Sequence, residues 1–129
     1  MAEETYPEEL RYHPEHDWAR IESDEATFGI TWYAQDALGE VVFFEPPAVG
    51  TEVSKDEPYA EVESVKAVSD VIAPLSGEIV AVNGELGERP QAINEDPYGE
   101  GWLVKLRLSD PSERDALMDA RAYAASLGG

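Results

Sequence analysis

The apolar stretches of this sequence are short and are closed by glycine, proline or acidic residues, which restricts the folds open to it. Apolar and polar residues roughly alternate at 18–23 and 26–30, and again at 78–83 and 101–108. Alternation over so few residues is typical of β-strands. No intervening stretch resembles a crossover helix, so a parallel α/β sheet is not expected. We expect an antiparallel sandwich or flattened barrel with helices at its edge.

The length of the chain favours one folding unit. Its 129 residues, 43% of them hydrophobic, can bury one modest core but not two substantial ones. We therefore expect residues 1–129 to form a single domain.

The first half of the chain predicts a hairpin, a short helix and a buried strand. Residues 18–23 and 26–30 pair across an acidic turn. Thr31 can cap a helix of about two turns, and Gly39 can end it. The continuous apolar run 41–44 is typical of a buried strand.

The end of the chain predicts one further helix. Asp110 and Pro111 are suited to its N-cap and first turn, with Glu113 at the capping-box position. We expect this helix to carry Leu117 and Tyr123.

The charge of the chain argues against some partners. A net charge of −19 repels nucleic acid and anionic membrane surfaces, so neither is an expected partner. The acidity has two interpretations: solubility, as in a salty cytoplasm, or electrostatic docking to partners that are basic in places.

The chain has no cysteine, so any sulfur redox chemistry must come from a cofactor. The first ten residues lack the pattern of a targeting segment, and no apolar run approaches membrane-spanning length. We expect a cytoplasmic protein.

Lys66 stands in the middle of a strand-like stretch, equally far from Pro58 and Pro74, and these prolines place it at a hairpin tip. No Asn-Gly or Asp-Gly marks the turn. A lysine here has ordinary interpretations: a solubilising residue, a guard of an edge strand, or a cross-strand partner of Glu61 or Glu63.

The segment VESVKAVSD, residues 62–70, resembles the lipoylation site of glycine cleavage system H proteins. The resemblance continues in order over nearly the whole chain, through residues 13–18, 29–43, 73–79 and 94–105. It implies a mainly β, lipoyl/biotinyl-domain-like fold. This is a flattened barrel of two antiparallel sheets, or barrel-sandwich hybrid, with short peripheral helices that include a C-terminal one.

The resemblance implies a non-catalytic carrier with lipoic acid in amide linkage to Lys66. That arm would accept an aminomethyl group from glycine at the pyridoxal-phosphate P protein and deliver it to the tetrahydrofolate-dependent T protein. The L protein, dihydrolipoamide dehydrogenase, would then reoxidise it. A lipoate ligase or lipoyltransferase would attach the cofactor. The alternative is an H-like relay that donates lipoyl groups to other 2-oxo acid dehydrogenase complexes.

The resemblance also implies two sets of residues around Lys66. The lipoylation motif comprises Glu63, Ser64, Val65, Ala67 and Asp70. A cleft that shields the cationic aminomethyl group from water would be lined by Glu15, Asp17, Asp70 and Tyr33. Asp17 is one methylene shorter than the glutamate frequent in the family. Solvated surface acids are the ordinary interpretation for the three carboxylates.

Other classes of function fit less well. Lipoyl domains of acyltransferases usually carry Asp-Lys-Ala and biotin carriers Met-Lys-Met, whereas residues 65–67 read Val-Lys-Ala. An enzyme that uses paired carboxylates would need one of them desolvated, and the sequence shows no sign of this. In a purely structural interaction domain Lys66 would be incidental.

Expectations also follow for His13, His16 and Trp32. We expect His13 and His16 to be hydrogen-bonded loop residues rather than metal ligands. Trp32 departs from the family pattern, and it has three interpretations: facing solvent, covering the cleft or touching a partner.

Overall fold

The computed structural model describes residues 3–127 and places nine strands and three α-helices in them. The strands are β1 Arg11–Tyr12, β2 Asp17–Glu22, β3 Glu25–Ile30, β4 Val41–Glu45, β5 Glu52–Val53, β6 Pro58–Ser64, β7 Val68–Ile72, β8 Gly77–Val82 and β9 Val104–Leu108. The helices are α1 Trp32–Leu38, α2 Ala92–Glu95 and α3 Ala120–Leu127, with 3₁₀ turns at Gly84–Gly87 and Pro111–Ala116.

The strands form two antiparallel sheets. The larger has six strands in the order β1-β2-β3-β9-β8-β5, and the smaller has three in the order β4-β6-β7. The main core lies between them and includes Phe28, Val62 and Leu106, all fully buried. Mainly β architecture with short helices, one of them C-terminal, is therefore confirmed, and neither sheet closes into a barrel.

The predicted hairpin and first helix are confirmed. Strands β2 and β3 pair along their whole length. The Thr31 hydroxyl accepts a hydrogen bond from the Ala34 N–H at 3.2 Å. Gly39 ends α1 with a φ of 86°, a backbone conformation that glycine adopts without steric cost.

The prediction of a buried strand at 41–44 is half wrong. Val41 and Phe44 are buried, but Val42 and Phe43 are 43% and 47% exposed. The register against β6 shifts between Val41 and Phe43, as at a β-bulge. The extra residue breaks the in-and-out alternation and turns two apolar side chains outward.

The final strand begins later than predicted, at Val104. The single helix predicted after it is also wrong. Asp110 caps only the 3₁₀ turn Pro111–Ala116, and Tyr123 lies in the separate helix α3. Between the two, Met118 pairs with Tyr12 through two backbone hydrogen bonds of 2.8 and 2.9 Å.

The capping box predicted at Glu113 is also absent. Its carboxylate instead accepts hydrogen bonds from the N–H and hydroxyl of Ser76, at 2.7 and 2.9 Å. Glu113 therefore ties the 3₁₀ turn to the loop before β8.

Helix α3 is held by a second apolar cluster. The rings of Tyr12 and Tyr123 stack with centroids 4.8 Å apart, and fully buried Trp18 and Leu10 pack beside them. This cluster fixes α3 against β1 and β2, close to the loop that precedes β2. Within residues 3–127, no helix is long and apolar enough to cross a bilayer.

Candidate functional site

Lys66 lies in the tip, which we define as residues 65–67 between β6 and β7, and its side chain is exposed. The Ser64 N–H donates to the Ala67 carbonyl at 2.8 Å. The Ser64 hydroxyl oxygen accepts from the N–H groups of Lys66 and Ala67, at 3.2 and 3.1 Å. Ser64 thus orders a tip that lacks the usual turn dipeptide.

The connection between α1 and β4, which contains Gly39 and Glu40, packs against the tip and supports it. The Val65 N–H donates to the Glu40 carbonyl at 3.0 Å. A Cβ on Gly39 would lie 3.3 Å from Lys66 Cε, so the lysine stem runs directly over the backbone of this glycine.

Asn94 holds that connection in place. Its side-chain oxygen accepts from the Val41 N–H at 2.8 Å, and its amide nitrogen donates to the Gly39 carbonyl at 2.9 Å. The same nitrogen donates to Gln35 Oε1 at 3.0 Å. The support of the tip thus rests on a buried amide from a distant part of the chain, for which the sequence carries no local signal.

The ammonium of Lys66 has no carboxylate partner in the part of the chain described. No Asp or Glu oxygen of residues 3–127 lies within 4.0 Å of it. The cross-strand pair with Glu61 or Glu63 is therefore not formed. Lys66 stands in the tip and not within a strand, so its charge does not protect the edge of a strand from pairing with another chain.

A cleft of about 350 Å³ opens beside the tip, between α1, β7 and the loop that precedes β2. Its lining includes all four residues for which the resemblance implies a cleft: Glu15, Asp17, Tyr33 and Asp70. Ala67 and Val68 belong to the same lining, so the cleft reaches the base of the tip.

Asp17 is the desolvated acid of this cleft, with 2% of its surface exposed. One carboxylate oxygen accepts a long hydrogen bond of 3.4 Å from the Ile72 N–H. The other, Oδ1, finds no partner among residues 3–127. Burial raises the pKa of this carboxyl well above its usual value. For Asp17 the surface-acid interpretation is wrong, whereas Glu15 and Asp70 are exposed.

The two histidines are hydrogen bonded, as predicted. The His13 Nδ1 accepts from the Glu15 N–H at 3.0 Å, so the proton on Nε2 points to Asp56, 2.6 Å away. The Nδ1 of His16 lies 2.8 Å from the Tyr123 hydroxyl, and burial lowers the pKa of His16. These bonds fix both ends of the loop that forms one wall of the cleft.

The aromatic residues of α1 take different places. Tyr33 is 39% exposed, with its ring 4.6 Å from that of His16, and it lines the cleft. Trp32 is half-buried and is not part of the cleft lining. Its backbone N–H donates a hydrogen bond to the Tyr98 hydroxyl at 2.8 Å.

Comparison with known proteins gives a consistent result. The family model described as "Glycine cleavage H-protein" matches residues 10–128. The glycine cleavage system H protein of Symbiobacterium thermophilum is 54% identical over 117 residues, which are 91% of each chain. That of Rubrobacter xylanophilus is 52% identical over 98% of this chain and 97% of the relative.

A solved structure has the same fold. The crystal structure of a glycine cleavage system H protein from Mycobacterium marinum superposes with a TM-score of 0.86 at 39% identity. The match covers 95% of this chain and 99% of that one.

The fold and these matches define a carrier protein of the lipoyl type, which is a subunit of a multienzyme system and not itself an enzyme. Within that class, the chain belongs to the glycine cleavage H-protein family.

Proposed function

We propose that lipoic acid is joined by an amide bond to Nζ of Lys66, and that this lipoyl-lysine arm carries aminomethyl groups in glycine cleavage. The observation that carries the proposal is an exposed amine on an ordered tip, with no carboxylate partner among residues 3–127. Such an amine can enter another protein's active site without unfolding the carrier. The proposed place of action is the cytoplasm.

Lys66 would hold a lipoyl disulfide that is reduced as it takes up the aminomethyl group, while the P protein releases the carboxylate of glycine as carbon dioxide. The T protein would then take the one-carbon unit and free ammonia, and the L protein would reoxidise the dithiol. The carrier contributes position and shielding, and the chemistry belongs to the cofactors. The motif residues Glu63, Ser64, Val65, Ala67 and Asp70 would present Lys66 to the attaching enzyme.

The residues of the cleft fit a resting place for the loaded end of the arm. A primary amine is cationic near neutral pH, and Oδ1 of Asp17, which has no partner in the described part of the chain, offers it a buried acceptor. Glu15 and Asp70 add negative charge at the cleft opening, and the aromatic ring of Tyr33 limits the access of water.

The experiment is lipoylation followed by intact mass. The unmodified protein is incubated with a lipoate ligase, lipoate and ATP, and we expect a gain of one lipoyl group. Lys66→Arg should abolish the gain, and the matched variant Lys105→Arg, at an exposed lysine of β9, should keep it. The proposal would be contradicted if the parent protein gained no lipoyl group, or if Lys66→Arg still gained one.

A further inference from the structure

Four exposed apolar side chains surround the tip, and we call them the apolar rim. They are Val42, Phe43, Val65 and Val68, which are 43%, 47%, 66% and 59% exposed. Single exposed apolar residues are common on proteins, but several of them gathered beside a functional residue mark an interaction surface. The cleft does not account for the rim, because only Val68 lines both.

Strand pairing places two residues of the rim, Phe43 and Val68, on the outer face of the smaller sheet. Phe43 lies opposite Glu63, and Glu63 lies opposite Val68. Residues directly opposite each other project to the same face, so Phe43 and Val68 flank Glu63 there. The bulge at Val42 is what turns this part of β4 outward.

A row of three acids follows on the same face. Glu45 lies opposite Glu61, and Glu61 lies opposite Asp70. Like charges directly opposite each other destabilise a sheet. No ion pair within residues 3–127 involves any of the three. The row therefore lowers stability and would be neutralised by a cationic partner.

The rim and the acid row lie close together. They are two residues apart along each strand, or about 7 Å. The combined surface has apolar side chains around the tip, with Glu63 between Phe43 and Val68 and the acid row at the border. It complements a partner surface that has apolar residues at its centre and basic residues beside them.

The distance between the tip and an enzyme's active site decides which partner fits this surface. Enzymes that act on the end of a long arm can dock at a distance from the tip. An enzyme that bonds a carboxyl carbon to Nζ of Lys66 must close around the tip itself, since only the lysine side chain spans the gap. The rim is the surface that such an enzyme would have to cover.

We propose that the apolar rim and the row Glu45–Glu61–Asp70 form the docking surface for the lipoate-attaching enzyme, whose contact surface is apolar at its centre and basic at its border. This rests on the proposed lipoylation of Lys66 and adds Val42, Phe43, Glu45, Glu61 and Val68 to the lipoylation motif, which already holds Val65 and Asp70. In the reaction at this surface, Nζ attacks the carboxyl carbon of lipoyl adenylate made from lipoate and ATP. The amide bond forms, AMP leaves with the electron pair, and the amine loses a proton.

The test measures binding and attachment with a purified lipoate ligase. Phe43→Ser with Val68→Thr removes apolar rim, and Glu45→Gln with Glu61→Gln removes two charges of the row. Val49→Ser changes an apolar residue that is 62% exposed beyond the far end of β4, and serves as the first control. Glu22→Gln with Glu25→Gln is the second control. It changes the net charge from −19 to the same −17, but at the turn where β2 ends and β3 begins, in the larger sheet.

We expect the rim variant to weaken the Kd of the unmodified protein for the ligase by about 10-fold, with a matching rise in KM for attachment. The acid-row variant should weaken the Kd by about 5-fold at low salt and make it less dependent on salt. Both controls should keep the parent Kd. Far-ultraviolet circular dichroism of each variant verifies that the fold is intact.

Unchanged Kd values in folded rim and acid-row variants would overturn the proposal. So would an unchanged Kd combined with a raised KM of the L protein for the same variants after lipoylation, because the surface would then belong to that partner. If the parent is never lipoylated at Lys66, the proposed function itself is wrong. If the parent is lipoylated but the variants keep its Kd, only the docking surface is wrong.

Discussion

The hydroxyl oxygen of Ser64 accepts hydrogen bonds from two N–H groups of the tip, those of Lys66 and Ala67. The symmetrical prolines were sufficient to predict a tip at Lys66. They could not predict what orders it, because a serine after a strand is compatible with many turns. A bond from a side chain to the backbone depends on the conformation that it helps to create.

At Asp17 we predict that replacement by asparagine stabilises the protein above pH 4. An unfolded aspartate has a pKa of about 3.9, and burial raises the pKa of folded Asp17 above that. Below pH 4 both states hold the proton, so the carboxyl contributes no difference. As the pH rises, the unfolded chain ionises first, and the folded state loses stability until the pH passes the folded pKa.

Urea unfolding of Asp17→Asn and parent from pH 3 to pH 8 measures this effect. The free energies of unfolding should be similar at pH 3, and the variant should be more stable by about 1–3 kcal/mol at pH 7. Asp24→Asn, at an exposed turn, should follow the parent throughout. An Asp17→Asn curve parallel to that of the parent would show that the carboxyl is not desolvated.

The same carboxyl has a predicted role once the arm is loaded. Asp17→Asn should leave lipoylation intact but hasten the loss of the aminomethyl group to water by roughly 10-fold, because its contact is buried. Asp70→Asn should also hasten this loss, and it is measured on fully lipoylated protein because Asp70 belongs to the proposed docking surface as well. The decay of the loaded mass with time measures it, with Asp24→Asn as the control. Equal decay in all proteins would remove the cleft from the proposed function.

For the secondary-structure elements, predictions were confirmed where a local interaction sets the end of a helix. They were wrong where a contact with a distant part of the chain sets it. The cap at Thr31 and the stop at Gly39 are local, and both are confirmed. The helix expected to carry Leu117 and Tyr123 is interrupted because the backbone of Met118 pairs with Tyr12, more than a hundred positions earlier.

The connection between α1 and β4 offers a prediction at this scale. Gly39→Ala should destabilise the protein by about 1 kcal/mol, since the φ of 86° is strained for alanine. It should also slow attachment at Lys66, because a Cβ there would push against the lysine stem. Urea unfolding and the rate of lipoylation measure the two effects.

Gly84→Ala is the matched control. Gly84 has no positive φ, and open space surrounds the position of its Cβ. Its stability and lipoylation rate should stay close to those of the parent. Equal behaviour of the two variants would mean that Gly39 does not support the tip.

For the whole molecule, alternation and turn residues were enough to predict antiparallel strands and edge helices. The cleft could not be derived that way. Asp17, Tyr33 and Asp70 come from three separate segments, and only the packing of α1 and β7 brings them to one cavity. The family resemblance pointed to these positions, and the two-residue strands β1 and β5 left no pattern at all.

The net charge of −19 predicts how the carrier meets its partners. Turnover of the P protein with this carrier should fall as salt rises, by about 10-fold in kcat/KM between 20 and 300 mM NaCl, because salt screens the attraction of opposite charges. Initial rates across that range measure it, with free lipoamide, which carries no charge, as the control. A flat profile would leave the acidity as a solubility feature.

The central claim is that Lys66 carries a group between enzymes, and loading tests it most directly. Lipoylated protein is incubated with glycine and the P protein, and the Lys66 peptide is analysed by mass. We predict that one aminomethyl group appears on lipoyl-Lys66 and is removed on addition of T protein and tetrahydrofolate. A lipoylated Lys66 that never gains the aminomethyl group, or a gain that persists in Lys66→Arg, would contradict the account.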